Sequence, residues 1–335
     1  MGYSTLNTHP SWTRLLFHFD RYYSLARAGH DVSIYEASDR TGGKCRTEWI
    51  GRYAFDTGPS LLTIPAVFRD FFQRTGKHMG QVLELEAVDP SFDYRFHDGK
   101  SVQFTNLSRK KTLESITESF GVDAAEQWDA VLNRAERMWD VSREPFVESE
   151  LKRPLSLLKR RHILRDLRII APLATLRDFG LTNPYLSKIM DRYATYSGSD
   201  PRKAPAVLST IAFIEESFGA WHIKGGVGTL SQHIAERCEK VGVQIHLNSP
   251  VASIDVKRGK TSGITLADGT AIAADIVISN ADAGFTYNSL ISSNSRKVKK
   301  ILREQSKLEP SLAGFSLLLG LRPSGHEKLS HHTIL

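Results

Sequence analysis

Apolar positions in this chain follow two periods, and the switches between them outline its architecture. Residues 25–40 (LARAGHDVSIYEASDR) end a helical pattern at Gly29 and pass into a β-branched and aromatic run, VSIYE, that closes on an acid. Short extended pieces follow at 47–50 (TEWI) and 52–55 (RYAF), then an apolar helix at 65–76 (PAVFRDFFQRTG). Residues 83–88, 92–96 and 101–104 read as strands, the last two joined by a tight turn at Asp98-Gly99. From 108 to about 180 the apolar spacing is three and four, which predicts helices. The stretch 225–256 reads as loop, helix, a Gly242 stop, strand, turn and strand. Residues 264–282 add a hairpin about Asp268-Gly269 and a buried strand, DIVIS, at 275–279.

This order predicts an α/β protein. A Rossmann-like nucleotide-binding domain over 25–85 and 222–290 is interrupted by a mixed-strand and helical domain over 86–221 and 291–335, after a divergent segment at 1–24. A chain of 335 residues with 41% hydrophobic content has enough apolar material for such cores.

Charge adds one element to the picture. The net charge of +7 suits an anionic partner without selecting one. The basic residues concentrate at 151–170, where Lys152, Arg153, Lys159, Arg160, Arg161, Arg165 and Arg168 alternate with leucine and isoleucine. That segment reads either as a solvated basic helix face or as a helix lying on a membrane surface. No apolar run reaches the roughly 20 residues of a membrane span. The two cysteines, Cys45 and Cys238, fit a reducing compartment, and their isolation from each other speaks against a metal site. His331-His332 reads as part of a solvated tail. We expect no nucleic-acid partner.

The candidate chemistry begins at Glu36. An acid at the end of the second strand of a Rossmann unit accepts hydrogen bonds from the ribose of an adenine dinucleotide. Its usual partner is a glycine-rich turn about 20 residues earlier. That distance falls on residues 13–18, TRLLFH, which hold no glycine. A second glycine turn, Gly42-Gly43, follows Glu36 and is flanked by Arg40, Lys44 and Arg46.

From residue 25 onward the chain resembles the bacterial-type phytoene desaturases, FAD-dependent carotenoid desaturases within the amine-oxidase-like flavoproteins. The resemblance is carried by residues 25–68 (LARAGHDVSIYEASDRTGGKCRTEWIGRYAFDTGPSLLTIPAVF), 222–254 and 267–283, and also by 192–206 (RYATYSGSDPRKAPA) and 315–335. It implies FAD as cofactor. Glu36 would hold the adenosine ribose, and Arg40, Gly42, Gly43, Lys44 and Arg46 would form the second nucleotide-contacting loop. Asp56, Gly58 and Pro59 would line the flavin side, and Val251 would meet the adenine edge with its backbone. Gly225-Gly226 would open the turn into the following helix.

The implied reaction is hydride removal from a long polyene such as phytoene, in a dry apolar tunnel entered from the membrane. Arg177 and Asp178 are candidate polar groups near the reacting end, against the plainer reading of a surface ion pair. Set beside the family, the chain reads as a fragment truncated at both ends, without the first strand and its GxGxxG. An inactive lipid-binding remnant of the fold and a carotenoid isomerase are the alternatives. The resemblance places the protein at the cytoplasmic side of a membrane, peripherally attached, or in a plastid if the source is eukaryotic.

Overall fold

The computed structural model describes residues 22–144, 163–291, 295–310, 312, 314–321, 325 and 330–335. After a helical turn over 22–27, strand β1 (Ser33–Tyr35) is followed by a hairpin of β2 (Thr47–Ile50) and β3 (Tyr53–Asp56). Helix α1 (Pro65–Arg74) starts on a proline, which suits a first turn that needs no N–H donor, and buries Phe68, Phe71 and Phe72. Strands β4 (Leu85–Ala87), β5 (Phe92–Arg95) and β6 (Ser101–Phe104) lead into helices α2 (Arg109–Phe120) and α3 (Val122–Ser142). The expected helical stretch is thus split at Gly121, whose φ of 94° ends one helix before the next begins.

Helix α4 (Ile163–Ile170), a 3-10 turn at Leu176–Phe179, α5 (Pro184–Asp191) and a second 3-10 stretch at Arg192–Ser197 complete the helical region with α6 (Thr210–Phe218). The chain then returns through β7 (Trp221–Ile223), α7 (Gly228–Glu239) and β8 (Gln244–His246) to the meander β9 (Val251–Lys257), β10 (Lys260–Leu266) and β11 (Ala271–Ala273). Helix α8 (Arg296–Gln305) and the short β12 (Thr333–Ile334) follow.

Three apolar cores result among the described residues. The first joins Phe92, Tyr94, Val102 and Phe104 of the β5–β6 hairpin to Ile116, Trp128, Leu132, Leu186 and Met190 of the helices. On α3 the buried positions Ala124, Trp128, Val131, Leu132, Ala135 and Met138 keep the three-and-four spacing read from the sequence. The second core gathers Cys45, Leu62, Phe68, Phe71, Phe72, Leu230, Ile234 and Cys238, so both free thiols lie in it. A third, smaller core under the meander holds Ile254, Ile264 and Leu290.

Strand β1 pairs in parallel with β8, Ile34 opposite Ile245, as a βαβ-type unit requires. The expected buried strand DIVIS is not one. Residues 275–279 form no ladder with any described strand, and Ile276 stays 74% exposed. A strand of continuous apolar residues gains its burial from neighbours in a sheet, and no described strand lies beside this one. The second correction concerns the histidine pair. Residues 330–334 are not a solvated tail, because β12 pairs in parallel with β5 and the Asp93 N–H donates to the His332 carbonyl at 2.9 Å.

Candidate functional site

Glu36 sits directly after β1, its N–H bonded to the His246 carbonyl of β8. Its half-buried carboxylate accepts from both the N–H and the hydroxyl of Ser38, each at 2.8 Å and both on Oε1. The return chain closes on the same spot. The Asn248 N–H donates to the Ser38 carbonyl and the Ser249 N–H to the Glu36 carbonyl, each at 2.8 Å. Val251 follows two residues later and packs with Tyr35 in the third core. Glu36 and Val251, 215 positions apart in sequence, are therefore neighbours.

Beyond Ser38 the loop carries three cations. Arg40 is held by Asp39 at 2.9 Å and lies 3.7 Å from Glu48, while Arg46 meets the same Glu48 at 2.8 Å. Arg40, through its side-chain hydrogen bond, holds the Asp39 carboxyl below the usual carboxylate range. Both guanidinium groups remain partly exposed. Between them the Gly42-Gly43 turn is closed by the Cys45 N–H on the Gly42 carbonyl at 2.9 Å. The next turn packs against it so closely that a Cβ on Gly58 would lie 2.0 Å from the Lys44 carbonyl oxygen. Pro59 is half-buried beside it.

Asp56 has a partner that the sequence did not reveal. Its Oδ1 accepts from the Thr47 hydroxyl at 2.6 Å and from the Val227 N–H at 3.0 Å, and the Gly228 N–H donates to Thr47 Oγ1 at 3.1 Å. The Asp56–Thr47 pair thus takes up unpaired N–H groups at the start of α7 and sets a carboxylate at its positive end. Gly225 and Gly226 open this turn with φ values of 85° and 90°. Asp56 is consequently a brace between the β2–β3 hairpin and α7, with its Oδ1 already engaged.

Arg177 and Asp178 each take another partner and form no ion pair with one another among the described interactions. Asp178 Oδ2 accepts from the Thr175 N–H at 2.6 Å and the Thr175 hydroxyl at 3.0 Å in a capping box, and Arg177 pairs with Asp191. These partners all belong to the helical region. The basic segment at 151–162 lies outside the described residues, and so does the stretch 13–18 where a glycine turn was sought.

A polar cluster inside the first core escaped the sequence reading. The largely buried Arg192 forms a two-pronged ion pair with the buried Glu215, and Glu215 also accepts from Tyr193 at 3.1 Å and Tyr196 at 2.8 Å. Arg192 stacks over Phe92 at 4.4 Å and Tyr193 at 4.6 Å. Burial pushes the Tyr94 hydroxyl up to about 12. RYATYS, at 192–197, was visible as a motif, yet nothing in it announced that its partner is a glutamate on α6.

The arrangement at the end of β1 suits one face of a nucleotide cofactor. A carboxylate with one oxygen oriented by Ser38 offers the other to ribose hydroxyls, and Arg40, Lys44 and Arg46 form a donor set suited to phosphate oxygens. A model for flavin containing amine oxidoreductases matches residues 22–297. The chain belongs to that family. The flavin expected from the sequence is the cofactor of the family, and the α/β fold is the one expected.

Among curated proteins the chain is 29% identical over 313 residues to a 4,4'-diapolycopene oxygenase of a Methylomonas species, covering 92% of this chain and 61% of that protein. It is 27% identical over 317 residues to a 4,4'-diaponeurosporene oxygenase of Staphylococcus haemolyticus, covering 93% and 61%. The chain thus spans about three-fifths of the length of these relatives. Their names are those of oxygenases, where the sequence suggested a desaturase. Among solved structures it superposes on an oxidoreductase from Methanosarcina mazei with TM-score 0.57 and 16% identity, covering 90% of this chain and 64% of that one. A variant of putrescine oxidase gives 0.55 at 16%, covering 89% and 61%. At these identities the structures speak to the fold.

Proposed function

We propose that the protein is an FAD-dependent oxidoreductase acting on carotenoid polyenes. The observation that carries this reading is the similarity of 92% of the chain to carotenoid oxygenases, combined with a nucleotide-contacting face at the end of β1. Glu36 would hold the adenosine ribose, with the backbone of Val251 at the adenine edge. Arg40, Lys44 and Arg46, on the turn shaped by Gly42 and Gly43, would neutralise the phosphates, while Gly58 and Pro59 line the flavin side. A bound flavin supplies a two-electron acceptor for hydride. The chain's own part is to bind the cofactor, orient the polyene and keep water from the reacting carbons.

The finer reading is desaturation of a phytoene-type substrate, by removal of hydride from an allylic carbon and a proton from its neighbour. A product with a new double bond and no added oxygen supports it, and an oxygenated chain end moves the reaction to that of the relatives.

Such a substrate resides in a bilayer, and α4 has the chemistry of a surface that meets one. It buries Asp166, whereas Leu164 is 82% exposed and Arg165, Leu167 and Arg168 face outward with it. Leu173 follows, 96% exposed. We therefore place the protein peripherally on a membrane, with the substrate domain over 86–221 and 291–335 as the attached part and the FAD-binding domain over 25–85 and 222–290. The experiment is direct. The purified chain is incubated with excess FAD, freed of unbound cofactor and examined for flavin absorbance. Bound flavin that bleaches on anaerobic addition of a carotenoid in vesicles supports the reading. A chain that retains no flavin overturns it.

A further inference from the structure

A dense run of cations lies outside the nucleotide face. Helix α8 (Arg296–Gln305) carries Arg296, Lys297, Lys299, Lys300 and Arg303, and Lys307 stands in the turn that follows. All of these side chains are exposed. Over 296–309 the acids are Glu304 and Glu309. Lys300 reaches Glu304 at 3.8 Å, and among the described residues Arg296, Lys297, Lys299, Arg303 and Lys307 form no ion pair.

Helical spacing sorts α8 into two faces. Val298 is buried and Ile301, Leu302 and Gln305 are half-buried, on the side that meets the turn at Thr286–Leu290, whose Leu290 belongs to the third core. Arg296, Lys299, Lys300 and Arg303 recur at three- and four-residue steps on the opposite side.

This stripe works against the helix that carries it. Like charges meet four residues apart in Arg296–Lys300 and Lys299–Arg303, and each such pair is destabilising. The first turn holds no acid, so Arg296 and Lys297 sit at the positive end of the helix dipole. The Ser295 hydroxyl, accepting from the Val298 N–H at 3.3 Å, caps that end without offsetting the charge. A face that meets only water is served by mixed signs, as on α3, where exposed Glu126 and Glu136 accompany Arg137. A stripe of one sign attracts an anionic surface.

The residues after α8 indicate which anionic surface. Leu308 and Leu312 are each 70% exposed, and Phe315 and Leu317 are exposed beyond them. A nucleic acid would pair with the cations and leave these apolar side chains in water. A bilayer accepts both, with the cations among its headgroups and the apolar groups at the acyl boundary.

We propose that the outer stripe of α8 docks on anionic lipid headgroups, with Leu308, Leu312 and Phe315 entering the interface beside it. The inference rests on the peripheral placement proposed above, in which α4 supplies an apolar contact, and it adds the class of lipid that the protein selects. Each cation held near such a surface multiplies partition by about fivefold. Weak contacts on one chain multiply one another, so stable attachment takes α4 and α8 together.

The test is flotation of the full chain with vesicles of phosphatidylcholine alone and of phosphatidylcholine and phosphatidylglycerol in equal parts. The wild-type chain should float with the anionic vesicles and be released from them by high salt. Combining Arg296→Gln, Lys299→Gln and Arg303→Gln should lower partition onto the anionic vesicles on the order of 100-fold. Glutamine is a good helix former, and circular dichroism checks that the variant folds. Arg296→Lys with Arg303→Lys keeps the charge and should bind as the wild type does. The lipid selectivity is overturned, and the peripheral placement left intact, if the wild type floats equally with both vesicles, if high salt fails to release it, or if the glutamine variant floats as well as the wild type. A charge-retaining variant that no longer floats overturns the electrostatic assignment as well. A wild-type chain that floats with neither vesicle overturns both readings, and one that binds duplex DNA instead assigns the stripe to nucleic acid.

Discussion

A methyl group at Gly226 would lie 2.3 Å from Thr47 Oγ1 and 2.7 Å from Asp56 Oδ1, on a backbone with φ of 90°. Both facts penalise any side chain there. We expect Gly226→Ala to lower stability by about 2 kcal/mol or more, read as a shift in the urea midpoint. The brace around Asp56 shows why this was hidden. The glycines were visible, but the carboxylate meets Val227 across 171 residues. The place of Glu36 at the end of β1 was legible for the opposite reason, since a strand that closes on an acid is a local pattern. Its replacement by alanine should weaken FAD binding roughly 10-fold, the scale of one charge-assisted hydrogen bond. An unchanged affinity in a flavin-binding titration would place Glu36 elsewhere.

Glu216 offers a prediction in pH at the same scale. Burial pushes its carboxyl from 4.5 up to about 7, against the opposing pull of Arg109. A raised acid binds its proton more tightly in the folded state, so its contribution is most favourable below 4.5 and is lost as pH rises toward 7. Glu216→Gln should therefore flatten the fall in stability between those limits, by an amount on the order of 1–3 kcal/mol at the upper end. Chemical denaturation at several pH values checks this.

Among the elements, the buried Arg192–Glu215 pair ties the 3-10 stretch at Arg192–Ser197 to α6 and to the β5 face. Removing one partner strands the other charge in the core. Arg192→Met should cost about 3–5 kcal/mol, and adding Glu215→Leu should recover much of it. Thermal denaturation of the single and double variants separates the two effects. Element types were readable where one period held over a long run, as on α3, or where a glycine turn marked a hairpin, as at Asp98-Gly99. DIVIS was misread because its composition describes a strand in the middle of a sheet, and a strand's burial is conferred by its neighbours. The role of 330–334 was likewise unreadable, since a two-residue pairing with β5 leaves no periodicity.

For the whole molecule, the outward leucines of α4 bear on where the protein works. Leu164→Glu combined with Leu167→Glu should abolish flotation with anionic vesicles while leaving flavin binding unchanged, because α4 makes no described contact with the end of β1. Equal flotation of the variant would assign the face to ordinary solvent exposure. The division into a nucleotide part and a helical part was suggested by the order of periods along the chain. The grouping of side chains into three cores depends on contacts between distant segments, which no local pattern carries.

The pairing of β12 with β5 also sets an order in time. β5 emerges from the ribosome long before residue 331 exists, about 10–50 s earlier at ordinary rates of synthesis. Through that interval Asp93 has neither Ser330 nor His332 to bond. The β5 edge is therefore completed only after the helices that pack on its face have been synthesised.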